Sequence, residues 1–275
     1  MKRVLKTNAS SFFILVLAGI IFFTSFHVRE LKTFFYPHLR ELQYQWILYK
    51  TRGYEKVETE NFVIRYDQED PEVIELVAEA SERHYDEIVE MFNYRPKRKT
   101  VVILYNDPAA LMANSNLGKG KPPMGVYYAS TLQVLSPRLW VGEHEDMREV
   151  FLNEGPMVHE FTHLLVDDMA KGNYPLWFTE GMALYQEYVQ TGYEWGKDLR
   201  YPEDKPYSLQ QLTENFGSLD EMLAYKRSFE IVRDIVESHG FEGMKQVLEG
   251  LGQGKTLAEA KNQAFQEDVL KVYRK

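Results

Sequence analysis

The sequence predicts an α+β fold, in which a small, mostly antiparallel sheet in the N-terminal half is followed by a helical half. Three observations predict this fold. Short apolar runs bounded by turn residues recur between residues 62 and 137, as strands do. Residues 71–92 carry apolar side chains at helical spacing, and after residue 148 the pattern is helical almost throughout.

The first segment, residues 1–26, is predicted to be a membrane anchor or signal rather than part of the fold. Lys2, Arg3 and Lys6 precede a run from residue 12 to 26 that contains no charge. Positive charge at this end places it in the cytoplasm and the rest of the chain outside. Bulky phenylalanines stand where signal cleavage requires small residues. The sequence therefore favours an uncleaved single-pass anchor, with a cleaved signal and a secreted chain as the alternative.

The second segment, residues 27–58, is expected to be a linker or juxtamembrane segment. It is rich in aromatic residues and mixed in charge. Two interpretations stay open: an amphipathic helix near the membrane surface, or a spacer that packs on the body.

The third segment, residues 59–275, is predicted to form one domain, and its first half supplies the sheet. Residues 62–66 and 101–105 are apolar enough for strands, with a helix over 71–92 between them. A loop rich in Gly, Lys, Asn and Pro follows at 114–123. Residues 125–137 read as two strands or one bent strand.

The helical half carries the pentapeptide His159-Glu160-Phe161-Thr162-His163. Residues four apart lie on the same face of a helix, so both imidazoles can reach one ion, with Glu160 beside them. Residues 171–175 break that helix, and Glu180 lies in the first turns of the next. His159, His163 and Glu180 are thus candidate ligands for one Zn²⁺, and three protein ligands leave a fourth position open for catalysis.

Composition narrows the classes of ligand and partner. The chain has no cysteine, which excludes disulfides and thiolate metal sites and leaves His and carboxylate as the strong zinc ligands. The net charge is −9, and an acidic chain is a poor partner for nucleic acid.

The motifs resemble those of the zincin metallopeptidases, in particular gluzincins and the bacterial membrane-linked peptidase MA-like families. These pair H-E-x-x-H with W-x-x-E-G-x-A, matched here by Trp177, Glu180, Gly181 and Ala183. The resemblance implies that Glu160 acts as general base on a zinc-activated water and that the substrate is a peptide or protein. It also implies an edge strand along the cleft, for which residues 125–137 are the candidate.

The same resemblance implies a residue that stabilises the oxyanion. Tyr225 is the first candidate, with a packing role as its alternative, and His239 is the second, with helix capping as its alternative. Asp167 or Asp168 could orient the ligand imidazoles, although acids at a helix end are commonly just solvated.

Two further residues have weaker interpretations. Gly181 could let the two motif helices approach closely or be a tolerated helix glycine, and His144 among its acidic neighbours is expected on a surface loop.

The sequence thus predicts a membrane-anchored, extracytoplasmic zinc peptidase. Two alternatives remain: a non-catalytic zincin-fold binding or scaffold module, and a hydrolase of a non-peptide cell-wall amide.

Overall fold

A computed structural model describes residues 28–118 and 120–265, and the predicted anchor at residues 1–26 lies outside them. The strands are β1 (Glu55–Glu58), β2 (Phe62–Tyr66), β3 (Thr100–Tyr105), β4 (Gly125–Tyr128) and β5 (Thr131–Leu135). The helices of the first half are α1 (Val28–Lys50), α2 (Pro71–Glu82), α3 (Tyr85–Phe92) and α4 (Pro108–Asn114). Those of the second half are α5 (Met147–Glu154), α6 (Met157–Ala170), α7 (Leu176–Thr191), α8 (Leu209–Asn215), α9 (Glu221–His239), α10 (Phe241–Gly252) and α11 (Leu257–Phe265).

The α+β class is confirmed. Within the described ranges, no helix combines the length and hydropathy of a membrane span.

The five strands form one sheet in the order β1-β2-β3-β5-β4. Its outer pairs are antiparallel, but β2 pairs with β3 and β3 with β5 in parallel. The sheet is therefore mixed rather than mostly antiparallel. Parallel neighbours need a crossover connection, which α2 and α3 provide before β3, whereas α4 and β4 lie between β3 and β5. Of the two alternatives for residues 125–137, two strands rather than one bent strand are present, and β4 is one of the two edge strands of the sheet.

The helix predicted over 71–92 is divided. α2 ends at Glu82 and α3 begins at Tyr85, because His84 leaves the helical region at φ −120° and ψ 13°. No Gly or Pro marks this point. The break lets the Tyr85 ring pack in the core 5.2 Å from the ring of Phe161 on α6, a long-range contact that local spacing does not encode.

Both faces of the sheet are covered. One face, with Val102 and Leu104 of β3, packs in the main core against α6. The opposite face, with Val101 and Ile103, packs against α4 and against Tyr44 and Ile47 of α1. Alternating side chains of a strand point to opposite faces, so β3, buried along its whole length, is the centre of the fold.

Helix α1, residues 28–50, packs on the body. Tyr36 Oη donates a hydrogen bond to Asp167 Oδ1 at 2.9 Å, and Arg40 Nη1 donates to Asp167 Oδ2 at 2.6 Å. Lys32 Nζ lies 2.6 Å from the carbonyl oxygen of Gly172. These contacts join α1 to the C-terminal end of α6, the helix that carries the pentapeptide.

Candidate metal centre

Two consecutive helices bring the three predicted ligands together. His159 and His163 lie one turn apart on α6, and α6 ends at Ala170, followed by Lys171 in the left-handed conformation. This stop and the short turn after it direct α7 back alongside α6. Glu180 on α7 thereby comes within reach of both imidazoles, and one ligand atom from each residue lies within 4.8 Å of the others.

The spacing of these atoms suits a small cation bound by nitrogen and oxygen. Glu180 Oε2 lies 3.2 Å from His159 Nε2 and 3.5 Å from His163 Nε2. Ligand bonds of about 2.0–2.1 Å arranged tetrahedrally would separate neighbouring ligand atoms by about 3.3 Å. The side chains are shielded, with exposed fractions of 15% for His159, 12% for His163 and 8% for Glu180. The donor set and its geometry therefore fit Zn²⁺.

Each ligand imidazole has a partner on its second nitrogen. His159 Nδ1 lies 3.1 Å from Glu187 Oε1, and His163 Nδ1 lies 2.6 Å from Thr179 Oγ1. Such contacts fix the orientation of the ring and leave Nε2 free to face an ion. Both partners come from α7. Neither partner was predicted from the sequence, although Glu187 follows Glu180 by two helical turns and therefore lies on the same face.

The expectation that Asp167 or Asp168 orients the imidazoles is wrong. Asp167 is fully buried and accepts hydrogen bonds from three tyrosine hydroxyls and from Arg40. Asp168 pairs with Arg40 and accepts a hydrogen bond from Tyr94 Oη at 3.0 Å. Both carboxylates therefore bind Arg40 of α1 and nearby tyrosine hydroxyls rather than the ligand imidazoles.

Glu160 is held by the edge strand. The backbone N–H of Tyr127 in β4 donates a hydrogen bond to Glu160 Oε2 at 2.6 Å. β4 comes this close to α6 because Gly125 has no side chain: a Cβ there would lie 2.5 Å from Pro156 Cβ and 3.1 Å from Glu160 Cγ. The predicted edge strand along the site is thus present, and it contacts the residue proposed as base.

The two buried carboxyl groups have pKa values shifted in opposite directions. Burial raises the pKa of Glu160 above its ordinary value, although the nearby imidazoles oppose this. Burial acts in the same direction on Glu180, but His163 and His159 outweigh it and lower the pKa of that carboxyl. Opposed environments of this kind separate an anionic group from one that takes up a proton.

Tyr225 lies in the first turns of α9 and lines the cleft with His159, His163 and Glu180. Its ring packs between those of Trp195, at 6.0 Å, and Phe216, at 5.8 Å. Burial and the charge of Glu180 raise the pKa of its hydroxyl. Tyr225 thus both packs and faces the cleft, and its role stays a prediction.

His239 lies at the C-terminal end of the same helix, where its Nδ1 is 3.3 Å from the carbonyl oxygen of Ile235 and its ring packs on Phe265. It does not line the cleft. This position agrees with the alternative interpretation, a residue at a helix end.

Gly181 permits a close helix approach, but to α9 rather than α6. A Cβ on Gly181 would lie 2.4 Å from the carbonyl oxygen of Ser228 and 2.6 Å from Val232 Cγ2. His144 is exposed on the loop before α5, as predicted.

The loop predicted over 114–123 borders the cleft. Leu117, Gly118, Gly120 and Lys121 line it on the side of β4. The cleft thus lies between this loop, the edge strand and helices α6, α7 and α9.

Comparison with known proteins agrees with this arrangement. Residues 146–273 match the sequence model of the peptidase MA superfamily, a range that contains α5 to α11 and all three candidate ligands. None of the curated proteins compared matches the chain significantly. The superfamily supports a peptidase, that is, a hydrolase acting on peptides or proteins. The match over residues 146–273 therefore supports a zincin-like metallopeptidase family for the helical half of this chain.

Proposed function

We propose that the chain is a zinc-dependent peptidase, anchored in a membrane by residues 1–26, with its catalytic domain outside the cytoplasm. One observation carries the catalytic part. Three ligand atoms converge within 4.8 Å, and the Glu160 carboxylate beside them is held at 2.6 Å by the edge strand. A site that only bound an ion would have no need of a fourth, separately held carboxylate.

His159, His163 and Glu180 would hold the ion, with Glu187 and Thr179 fixing the two imidazoles. When bound, Zn²⁺ supplies Lewis acidity, which polarises the scissile carbonyl and makes water a better nucleophile at neutral pH. Zinc is inferred from the ligand types, two imidazoles and one carboxylate, a set that other divalent metals can also occupy.

Glu160 would accept the proton of the attacking water and later donate it to the leaving group. Its Oε2 accepts the N–H of Tyr127, which leaves Oε1 as the oxygen to take a proton from the attacking water. The same carboxyl would then pass that proton to the nitrogen of the leaving amine. The strand contact keeps the carboxylate in one orientation throughout, because a backbone amide has no rotamers to sample.

The substrate would bind along β4. Backbone groups of a strand alternate in direction, and the N–H of Tyr127 points away from β5 toward Glu160. The carbonyl of Tyr127 and both backbone groups of Gly125 therefore lie on the free edge. An extended peptide could add to this edge as a further strand. Tyr225, which also lines the cleft, would donate a hydrogen bond from its hydroxyl to the oxyanion.

The test uses Glu160→Gln in the full chain, purified in detergent. We expect one zinc per chain in both proteins, and we expect cleavage of a mixed peptide library by the wild type alone. Glu203→Gln, at an exposed acid paired with Lys205, is the matched control and should cleave like the wild type. If both proteins bind zinc and wild type cleaves no more peptide than Glu160→Gln does, the result would instead support the non-catalytic module. Cleavage of cell-wall amides with no cleavage of peptides would support the third alternative.

The location is supported by sequence alone. Lys2, Arg3 and Lys6 precede the uncharged run, which favours a cytoplasmic N-terminus. A reporter active only outside the cytoplasm, fused to the C-terminus, should be active. If that fusion were inactive while a fusion to a reporter that works only in the cytoplasm was active, this orientation would be refuted.

A further inference from the structure

Helix α1 carries apolar side chains on the face that points away from the body. Seven large apolar side chains of α1 are more than half exposed, and five of them form one stripe: Phe35, Leu39, Leu42, Trp46 and Tyr49. Their spacing of four, three, four and three residues places them within an arc of about 80° on the helix, over a length of about 21 Å. Isolated exposed apolar residues are ordinary, but a continuous stripe of this kind marks an interaction surface.

Within residues 28–118 and 120–265, no packing covers this stripe. The opposite face of α1 already contacts the body through Thr33, Tyr36, Arg40, Tyr44 and Ile47. Those contacts include the buried ion pair with Asp167 and hold the helix in one orientation. The apolar stripe therefore faces outward because α1 is fixed on its other side.

A basic cluster flanks α1. The cavity beside the helix is lined by Pro37 and Glu41 of α1 and by Lys97, Arg98, Lys99 and Lys171 of the body. Arg98 stacks on the ring of Tyr44 at 3.6 Å and pairs with Glu41 at 2.9 Å, which joins the cluster to the helix. In a chain of net charge −9, the cations that line this cavity, with Arg40, outnumber its two acids, Glu41 and Asp168, so the cavity lining is net positive.

Two occupants can be compared, a lipid interface and a second copy of the chain. The a and d spacing of the stripe would also suit a coiled coil. Three of its five side chains are aromatic, however, whereas coiled-coil seams use interdigitating aliphatic residues. The positions that flank the stripe include His38, Gln43, Gln45 and Lys50, which offer no pairs of opposite charge between two copies. Trp, Tyr and Phe beside basic residues are instead typical of helices that lie in a membrane interface.

The position in the chain favours the same occupant. The uncharged run of residues 12–26 ends two residues before α1 begins at Val28. We propose that the outward face of α1, with the basic cluster of Lys97, Arg98, Lys99 and Lys171, docks on an anionic membrane surface. This inference rests on the membrane anchor in the proposed function. The docked face fixes how the body and its cleft are oriented relative to the lipid.

The absence of cysteine makes a direct test possible, because a single introduced cysteine is the only one in the chain. Leu42→Cys and Glu75→Cys, the latter on an exposed position of α2, each receive a nitroxide spin label. The full chain is reconstituted in nanodiscs of phosphatidylcholine and phosphatidylglycerol. We expect the label at 42 to collide more with lipid-soluble oxygen than with a water-soluble nickel complex, and the label at 75 to show the reverse.

The same samples contain the outcomes that would overturn the inference. Water-like accessibility of both labels would show that the stripe does not meet lipid. Dipolar broadening between labels at 42 in two chains would identify a second copy as the occupant. Changing Lys97, Arg98 and Lys99 to Gln should reduce the lipid exposure of the label at 42, and an unchanged value would exclude the cluster from the surface. These readouts need no hydrolysis, so a failure of the proposed peptidase activity would leave them intact.

Discussion

The backbone N–H of Tyr127 donates a hydrogen bond to Glu160 Oε2 at 2.6 Å, so the edge strand directly holds the carboxylate proposed as base. The hydroxyl of the same tyrosine donates to Asp167 Oδ2 at 2.7 Å. Asp167 lies two helical turns after Glu160 on α6, so one residue joins β4 to the helix at two points. The strand and the metal helix therefore have a fixed separation along the cleft.

Tyr127→Phe should lower stability while leaving hydrolysis largely intact. The change removes one hydrogen bond to the buried Asp167 carboxylate, at a cost of about 1–3 kcal/mol in the free energy of unfolding. The backbone contact to Glu160 stays, because it does not involve the side chain. Urea denaturation of Tyr127→Phe and of Tyr128→Phe, on the opposite face of the same strand, measures the difference. Equal losses in the two variants would refute this role of the Tyr127 hydroxyl.

Arg40→Ala should destabilise the protein strongly. Asp167 is fully buried, Arg40 is 16% exposed and their ion pair is 2.6 Å long. Removal of one partner from a buried pair leaves an uncompensated charge and costs about 3–5 kcal/mol. Lys56→Ala removes one member of an exposed pair with Glu58 and should cost no more than about 1 kcal/mol. Similar midpoints of chemical denaturation for the two variants would contradict the assignment.

The ligands could be predicted from the sequence because their geometry is local. His159, Glu160 and His163 lie within a turn of one helix, and Glu180 follows on the next helix after a recognisable turn. The helical spacing alone fixes how such side chains point. Glu187 lies two turns beyond Glu180 on the same face of α7, so its position beside the ligands is predictable in the same way.

The features that could not be predicted from the sequence depend on contacts between distant segments. The hydrogen-bond donors to Asp167 are Tyr36 and Arg40 of α1, Tyr127 of β4 and Tyr174 in the turn after α6. No periodicity relates such positions. The division of the helix at His84 and the parallel pairing of β3 likewise follow from packing across the core, which local patterns do not contain.

Gly181→Ala should weaken both the fold and metal binding. An added Cβ would lie 2.4 Å from the Ser228 carbonyl oxygen, and this atom belongs to the backbone of α9 and cannot move aside alone. Overpacking of this kind costs about 1–3 kcal/mol. Because Glu180 is the neighbouring residue, displacement of α7 would also move a proposed ligand.

Gly217→Ala is the matched control, since no atom lies within 4 Å of the added Cβ. Thermal unfolding and zinc titration against a chelator should both be impaired in the first variant and unchanged in the second. If Gly181→Ala is destabilised but keeps its zinc affinity, the contact between α7 and α9 does not determine the position of Glu180 in the metal centre.

Glu187→Ala should reduce zinc affinity without removing a ligand. Its carboxylate lies 3.1 Å from His159 Nδ1 and orients that ring. Loss of such a partner typically lowers metal affinity about 10–100-fold. Glu187→Gln keeps an oxygen that can accept the Nδ1 hydrogen and should retain most of the affinity. The measurement is competition with a chromogenic chelator, and equal affinities of wild type and Glu187→Ala would refute the role.

Stability should fall at alkaline pH because of the tyrosines around Asp167. Burial, reinforced by the charge of Asp167, raises the pKa of Tyr36, Tyr127 and Tyr174 above their ordinary value of about 10. Below pH 10 or so, folded and unfolded chains both keep these protons, and the stabilisation is fully present. Above it the unfolded chain releases protons that the folded chain retains, so the free energy of unfolding decreases as pH rises.

Each such tyrosine adds up to about 1.4 kcal/mol per pH unit to this decrease. Urea denaturation between pH 8 and 11 should therefore give a shallower decline for Tyr174→Phe than for the wild type. Tyr49→Phe, at a solvent-exposed ring on α1, is the control and should follow the wild-type curve. If Tyr174→Phe declines as steeply as the wild type, the hydroxyl of Tyr174 loses its proton equally easily in both states, and its hydrogen bond to Asp167 does not contribute to alkaline stability.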